Sequence, residues 1–305
     1  MTAPSRPLHR RSVLQGALAA PLLMRAAPAT ATPQGGRPLN LRIIQSGHSL
    51  TDPIVPMLDA MVAAIGGAEA RGRVIDRSTI PGSPLEIRWN EPPTGLPDAR
   101  HDIADYALVV LTERVSLANT KPWHASEDYA LRWVRHAWEQ GNGGAGAESV
   151  LYATWVDTDS GPGFDNPHND PEGDIPFRDR LPLEMTRWQT ILDHVNANLP
   201  DGAPPMRMIP GPLIMAAAYD AIAEDRAPGL TRIEDLFSDT IHVNAAGAYL
   251  IALAHLGVIY GRDPRDLPHG MGRTEVPPPE TAAWMQSLVH DVLRAHPDTG
   301  YPPQG

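Results

Sequence analysis

Residues 106–111 (YALVVL) and 150–156 (VLYATWV) are apolar almost without interruption, too short for ordinary helices, and separated by a stretch with helical spacing. A strand that offers no polar face must be covered on both sides, and helical crossovers between such strands give a parallel sheet. A short apolar run at 39–45 (LNLRIIQ) leads to Gly47, and residues 53–65 follow with apolar positions at helical spacing. Strand, glycine turn and helix open an α/β unit.

The same reading extends along the chain. Residues 71–78 form a weaker second strand closed by Pro81-Gly82-Ser83-Pro84, and 206–210 a fifth. Helices are expected at 126–139, 182–199, 213–224, from Asn244 onward, and at 279–295. The expected fold is therefore a three-layer α/β/α sandwich on a five-stranded parallel sheet. In such sheets ligands bind beyond the carboxyl ends of the strands, where Ser49, Gly82, Glu113 and Asp157 fall. The 33 prolines and 26 glycines point to stiff surface loops, since an apolar fraction of 42% still supports a core.

The first 31 residues read as an address. Arg10-Arg11 precedes an apolar stretch at 13–24 that is too short to span a bilayer, and Ala29-Thr30-Ala31 is a small-residue cleavage pattern. A twin-arginine leader over 1–31, a linker over 32–38 and a single domain over 39–305 with a C-terminal helix are expected. Export by the twin-arginine machinery would place the chain in a bacterial periplasm or outside the cell, with no membrane anchor after cleavage. No cysteine is present, which excludes disulfides and thiolate metal sites. The net charge of −11 argues against nucleic acid as a partner.

The chemistry sits in two distant segments. Gly47-His48-Ser49-Leu50-Thr51-Asp52 follows the first strand, and Ser238-Asp239-Thr240-Ile241-His242-Val243-Asn244 precedes a C-terminal helix. Serine is a poor nucleophile without a base, and the base needs an acid to hold its tautomer. Asp239 and His242, three apart in a turn, are spaced for the carboxylate to reach Nδ1, leaving Nε2 for Ser49. Taken singly, Ser49 also reads as a helix N-cap and His242 as a surface residue beside the cap Asn244.

GHSLTD and DTIHVNAAG together resemble the first and last blocks of the SGNH (GDSL-type) hydrolase superfamily. The resemblance implies a flavodoxin-like fold and an ester hydrolase with Ser49 as nucleophile, His242 as base and Asp239 as its orienting acid. It places the Gly82 N–H beside that of Ser49 in an oxyanion hole, and requires no metal or organic cofactor. Two positions depart from the pattern. His48 stands where the family has Asp, and Leu111-Thr112-Glu113-Arg114 stands where it has Gly-x-Asn-Asp.

Because the first and third strands are neighbours in a flavodoxin-like sheet, His48 and Glu113 are expected to pair. Glu113 would hold His48 protonated with Arg114 nearby, and the pair would orient the serine loop or meet substrate. The acidic segment 157–174, which includes His168, reads as a solvated lid, with Ca²⁺ binding the weaker alternative because EF-hand spacing is missing. Trp89 and Trp123 are placed to stack on a sugar, whereas Trp133, Trp138 and Trp188 read as core. These features lean toward O-acetyl or other short acyl groups on a carbohydrate. The alternatives are a glycan-binding protein on the same scaffold and a sugar O-acyltransferase.

Overall fold

The computed structural model describes residues 1–2 and 36–301. The expected leader, apart from its first two residues, and most of the linker lie outside the described residues. The described residues from 36 onward form one compact unit.

Five strands, β1 (Arg42–Gly47), β2 (Val74–Thr79), β3 (Leu108–Leu111), β4 (Glu148–Ala153) and β5 (Arg207–Pro210), make one sheet in the order β2-β1-β3-β4-β5. All four pairings are parallel. The eight α-helices among the described residues are α1 (Ile54–Gly66), α2 (Leu85–Asn90), α3 (Leu117–His124), α4 (Ser126–Gln140), α5 (Phe177–Ala197), α6 (Gly211–Ala223), α7 (Ala245–Tyr260) and α8 (Pro279–Ala295).

Alternation along each strand sorts the side chains into two cores. Ile43, Val110, Tyr152 and Ile209 pack with α1, α6, α7 and α8 on one face. Ile44, Val109, Leu111 and Leu151 pack with α2, α4 and α5 on the other. This is the three-layer α/β/α sandwich that the strand pattern implied. Helix α7 is apolar all round and buried from Gly247 to Tyr260, as a helix without a polar face must be. Among the described residues no helix is long and apolar enough to cross a membrane.

Glycine is needed at the exit of β1. A Cβ on Gly47 would lie 2.0 Å from Thr51 Oγ1, so the turn that carries Ser49 closes tightly only with hydrogen at that position. The Thr51 N–H donates to the His48 carbonyl at 2.8 Å and fixes the turn.

Helices α2 and α3 have no counterpart in the apolar pattern. The first is six residues long, and the second holds Pro122 inside it and lacks an apolar stripe.

Candidate active site

The turn before α7 is built before it is placed. Asp239 Oδ1 accepts from the backbone N–H groups of Ile241 at 2.9 Å and His242 at 2.7 Å, and the Ser238 N–H donates to the His242 carbonyl at 2.8 Å. Asn244 caps α7 by accepting from the N–H groups of Ala246 and Gly247. Its amide nitrogen donates back to the carbonyls of Asp235 and Phe237. Asn244 is therefore the cap that the sequence suggested, and it also clamps the two ends of the turn together.

The segment leaving β4 then fixes the turn to the sheet. The Thr158 N–H donates to the Thr240 carbonyl at 2.7 Å, Thr240 Oγ1 donates to Asp157 at 2.9 Å, and the Trp155 indole donates to the Ile241 carbonyl at 2.9 Å.

This placement brings the two ends of the chain together. His242 Nδ1 lies 2.7 Å from Asp239 Oδ2, and Nε2 lies 2.8 Å from Ser49 Oγ. Burial of Asp239 works against its charge, but the N–H groups of His242 and Ile241 and the imidazole outweigh it and hold the carboxyl below its usual range. An ionised Asp239 selects the Nδ1–H tautomer, which leaves the Nε2 lone pair facing the serine hydroxyl. Ser49 does not cap a helix. The N-cap of α1 is Pro53, with no side-chain cap bond.

Gly82 lines the same cavity as Ser49, at φ +63, a conformation that favours glycine. Among the described residues no protein acceptor meets the backbone N–H of either Ser49 or Gly82. An oxyanion hole is made of such unpaired backbone N–H donors.

The expected pairing of His48 with the Glu113 carboxylate does not form. His48 Nε2 lies 3.0 Å from the Glu113 backbone carbonyl, so that nitrogen donates, and Nδ1 faces the Leu50 N–H at 3.4 Å. Burial, followed by the nearby Arg88 charge, pushes the His48 pKa down to about 3, so the ring is neutral rather than protonated.

Glu113 is fully buried and is not among the residues that line the cavity. Its Oε1 accepts from the N–H groups of Leu85 at 3.0 Å and Arg114 at 2.7 Å. The facing cation is the buried guanidinium of Arg88, a residue the sequence pattern did not single out. Arg114, expected beside the carboxylate, donates through Nε to Thr120 Oγ1 at 3.1 Å, and its side chain lines the cavity.

The cavity holds about 590 Å³. One wall is the acidic segment after β4, which contributes Asp157, Asp159, Phe164, Asp165, Asn166 and His168. That segment is gripped from α5: Arg180 pairs with Asp170 at 2.6 Å and Arg187 with Glu172 at 2.5 Å. Asn119 on α3 donates to the His168 carbonyl at 2.9 Å from the opposite wall. Among the described residues no group of three or more His, Cys, Asp or Glu side chains is arranged to hold a metal ion.

Neither tryptophan proposed for sugar stacking lines this cavity. Trp123 is 78% exposed on α3. Trp89 packs edge-on against Trp133 and His136 and borders a separate surface cleft of about 630 Å³. The aromatic side chain in the cavity wall is Phe164. Trp133 and Trp188 are core as expected, while Trp138 is half-buried and donates to the Asp201 carbonyl. His124 pairs with Glu86 at 2.8 Å.

No family model matches the chain, and no curated protein matches it. Among solved structures it is similar to a DUF4886 family protein from Bacteroides uniformis ATCC 8492. The identity is 15% and the TM-score 0.59, over 85% of this chain and 96% of the other. That likeness is one of fold, and it places the five-stranded sandwich among known architectures.

Proposed function

We propose that the protein is a serine ester hydrolase of the SGNH type, exported by its N-terminal leader and acting on short acyl groups carried by a polar, carbohydrate-like alcohol. The observation that carries this reading is the unbroken Asp239–His242–Ser49 relay, with links of 2.7 and 2.8 Å, opening into a cavity.

The steps follow from the geometry. Ser49 Oγ attacks the acyl carbon as its proton passes to His242 Nε2. Asp239 stays ionised and stabilises the imidazolium. The Ser49 and Gly82 N–H groups bind the oxyanion, a contribution of about 2.7–4 kcal/mol per donor in other serine hydrolases. Collapse of the tetrahedral intermediate breaks the bond to the alcohol, which leaves with the proton from Nε2. Water then attacks the acyl-enzyme as its proton passes to Nε2, and collapse of the second tetrahedral intermediate breaks the bond to Ser49 Oγ, returns that proton to it and releases the acid.

The substrate class rests on the cavity wall. Carboxylates, amides and an imidazole suit a hydroxyl-rich leaving group better than a long acyl chain, and Phe164, Leu50 and Ile241 offer a small apolar patch.

A fluorophosphonate probe is expected to label the wild-type protein and to leave Ser49→Ala unlabelled. An unlabelled wild type would overturn the hydrolase reading in favour of a glycan-binding protein. Acetate release from acetylated xylan, pectin and alginate, compared with p-nitrophenyl acetate, then ranks substrates.

A further inference from the structure

Three loops supply the cavity floor: the β1 exit with Ser49, the β2 exit with Gly82 and the β3 exit with Arg114. A parallel sheet fixes where its strands end, but not the separations of the turns beyond them. Here the turns are cross-linked in every pairwise combination by buried polar groups.

Arg88, on α2, donates through Nε to Ser46 Oγ at 3.2 Å, through Nη1 to the carbonyl of Ser83 and to its Oγ, and through Nη2 to the Thr112 carbonyl. One planar guanidinium thus touches all three strand exits. Glu113 closes the second link by accepting from Leu85 and Arg114, and His48 closes the third through the Glu113 carbonyl.

Ser46, His48, Ser83, Arg88, Thr112 and Glu113 are all at most 4% exposed. A buried ionic group is poor evidence for stability, because desolvation offsets the attraction. What a rigid five-donor fork does supply is fixed geometry.

We infer that Arg88, with Glu113, is a positioning hub that holds the Ser49, Gly82 and Arg114 turns at the separations the serine reaction needs. Arg88 does not line the cavity and acts through the turns it joins. The kinetic consequence rests on the hydrolase reading proposed above, whereas the mechanical one does not.

The test is Arg88→Met, which keeps much of the side-chain volume and removes the fork, with Glu113→Gln as the conservative partner that retains an acceptor for Leu85 and Arg114. Hydrogen exchange read by mass spectrometry is expected to rise together at residues 48–50, 82–85 and 113–116 in Arg88→Met, with α7 and α8 unchanged. At a temperature where the variant is folded, kcat is expected to fall about 100-fold with KM little changed, the size of loss that sub-ångström to ångström misplacement produces. Glu113→Gln should recover most of that rate.

Exchange that rises only around residue 88, or a folded Arg88→Met with wild-type kcat, overturns the proposal. Should Arg88→Met fail to fold, Arg88→Lys, which keeps the charge without the fork, is read at the same three segments by the same criteria. A wild type that hydrolyses no ester sinks the hydrolase reading alone, and the exchange pattern still decides whether the three turns are coupled.

Discussion

The two halves of the site are built in opposite ways. The Asp239–His242 half is exposed and local: its carboxylate and imidazole are three residues apart, and the side chains are 55% and 39% accessible. The half beneath Ser49 is buried and long-range, with Arg88 and Ser46 separated by 42 residues and Leu85 and Glu113 by 28. On the hydrolase reading proposed above, the exposed half moves protons, and it is open to solvent. The buried half keeps His48 neutral, burial pushes the Glu113 carboxyl up while Arg88 draws it back, and the contacts there serve to hold distances. On that reading, reactivity and alignment are assigned to different environments.

Substitutions at the exposed half should break the comparison most visibly. His242→Ala is expected to lower kcat by about 10⁴-fold or more with little change in stability, because removing a triad member leaves only oxyanion and binding contributions. Asp239→Asn should cost less than His242→Ala, since its amide oxygen still accepts the Ile241 and His242 N–H groups while the imidazolium loses its counter-charge. Parallel kcat and thermal-melt measurements check both. A Tm loss that tracks the rate loss would mean that the exposed half is structural after all.

Gly82→Ala lies between the two halves. Nothing would touch the added methyl within 4 Å, so the cost comes from φ +63 alone. That conformation costs a non-glycine residue roughly 1–2 kcal/mol. If Gly82 presents an oxyanion donor, kcat should fall about tenfold as the peptide relaxes. If stability falls while kcat stays unchanged, Gly82 is only a turn residue.

Two buried imidazoles, His48 beneath Ser49 and His255 on α7, respond to acid. His48 and His255 hold pKa values of about 3 and about 4, chiefly through burial. Both bind protons more weakly in the folded chain than in the unfolded one, so acid favours unfolding. Their contribution is intact above pH ~6.5 and declines as pH falls toward the folded values, by up to about 1.4 kcal/mol per pH unit for each ring. Urea unfolding between pH 7 and pH 4.5 measures the slope. A flat profile would mean that the two rings are not held neutral.

What the sequence revealed follows the same division. β3 and β4 were legible because continuous apolar runs leave few alternatives, and the Asp239–His242 contact because three residues of a turn bring it within reach. The neighbourhood of His48 and Glu113 was also legible, since β1 and β3 are adjacent.

The atoms that meet there were not legible. The contact uses the Glu113 carbonyl, while its carboxylate turns toward Leu85, Arg114 and Arg88. No spacing rule marks Arg88, because its partners lie on three separate strand exits and become neighbours only in the folded sheet. Helix α2, which carries it, is too short to show a period. The tryptophans misled for a related reason: following a strand in sequence does not fix which way an indole faces.

Asn244 has a consequence for how such a chain can diversify. Its amide ties both flanks of the histidine turn, so inserting or deleting a residue between Phe237 and Asn244 would detach the imidazole from its register with the serine. Asp157 and Thr158 are bound to that turn, but the acidic segment beyond them is held by long side chains reaching across from α5, so it is the part that can change composition while the histidine turn stays in place. On the hydrolase reading, new substrate preferences can therefore be acquired on one wall without renegotiating the chemistry on the other.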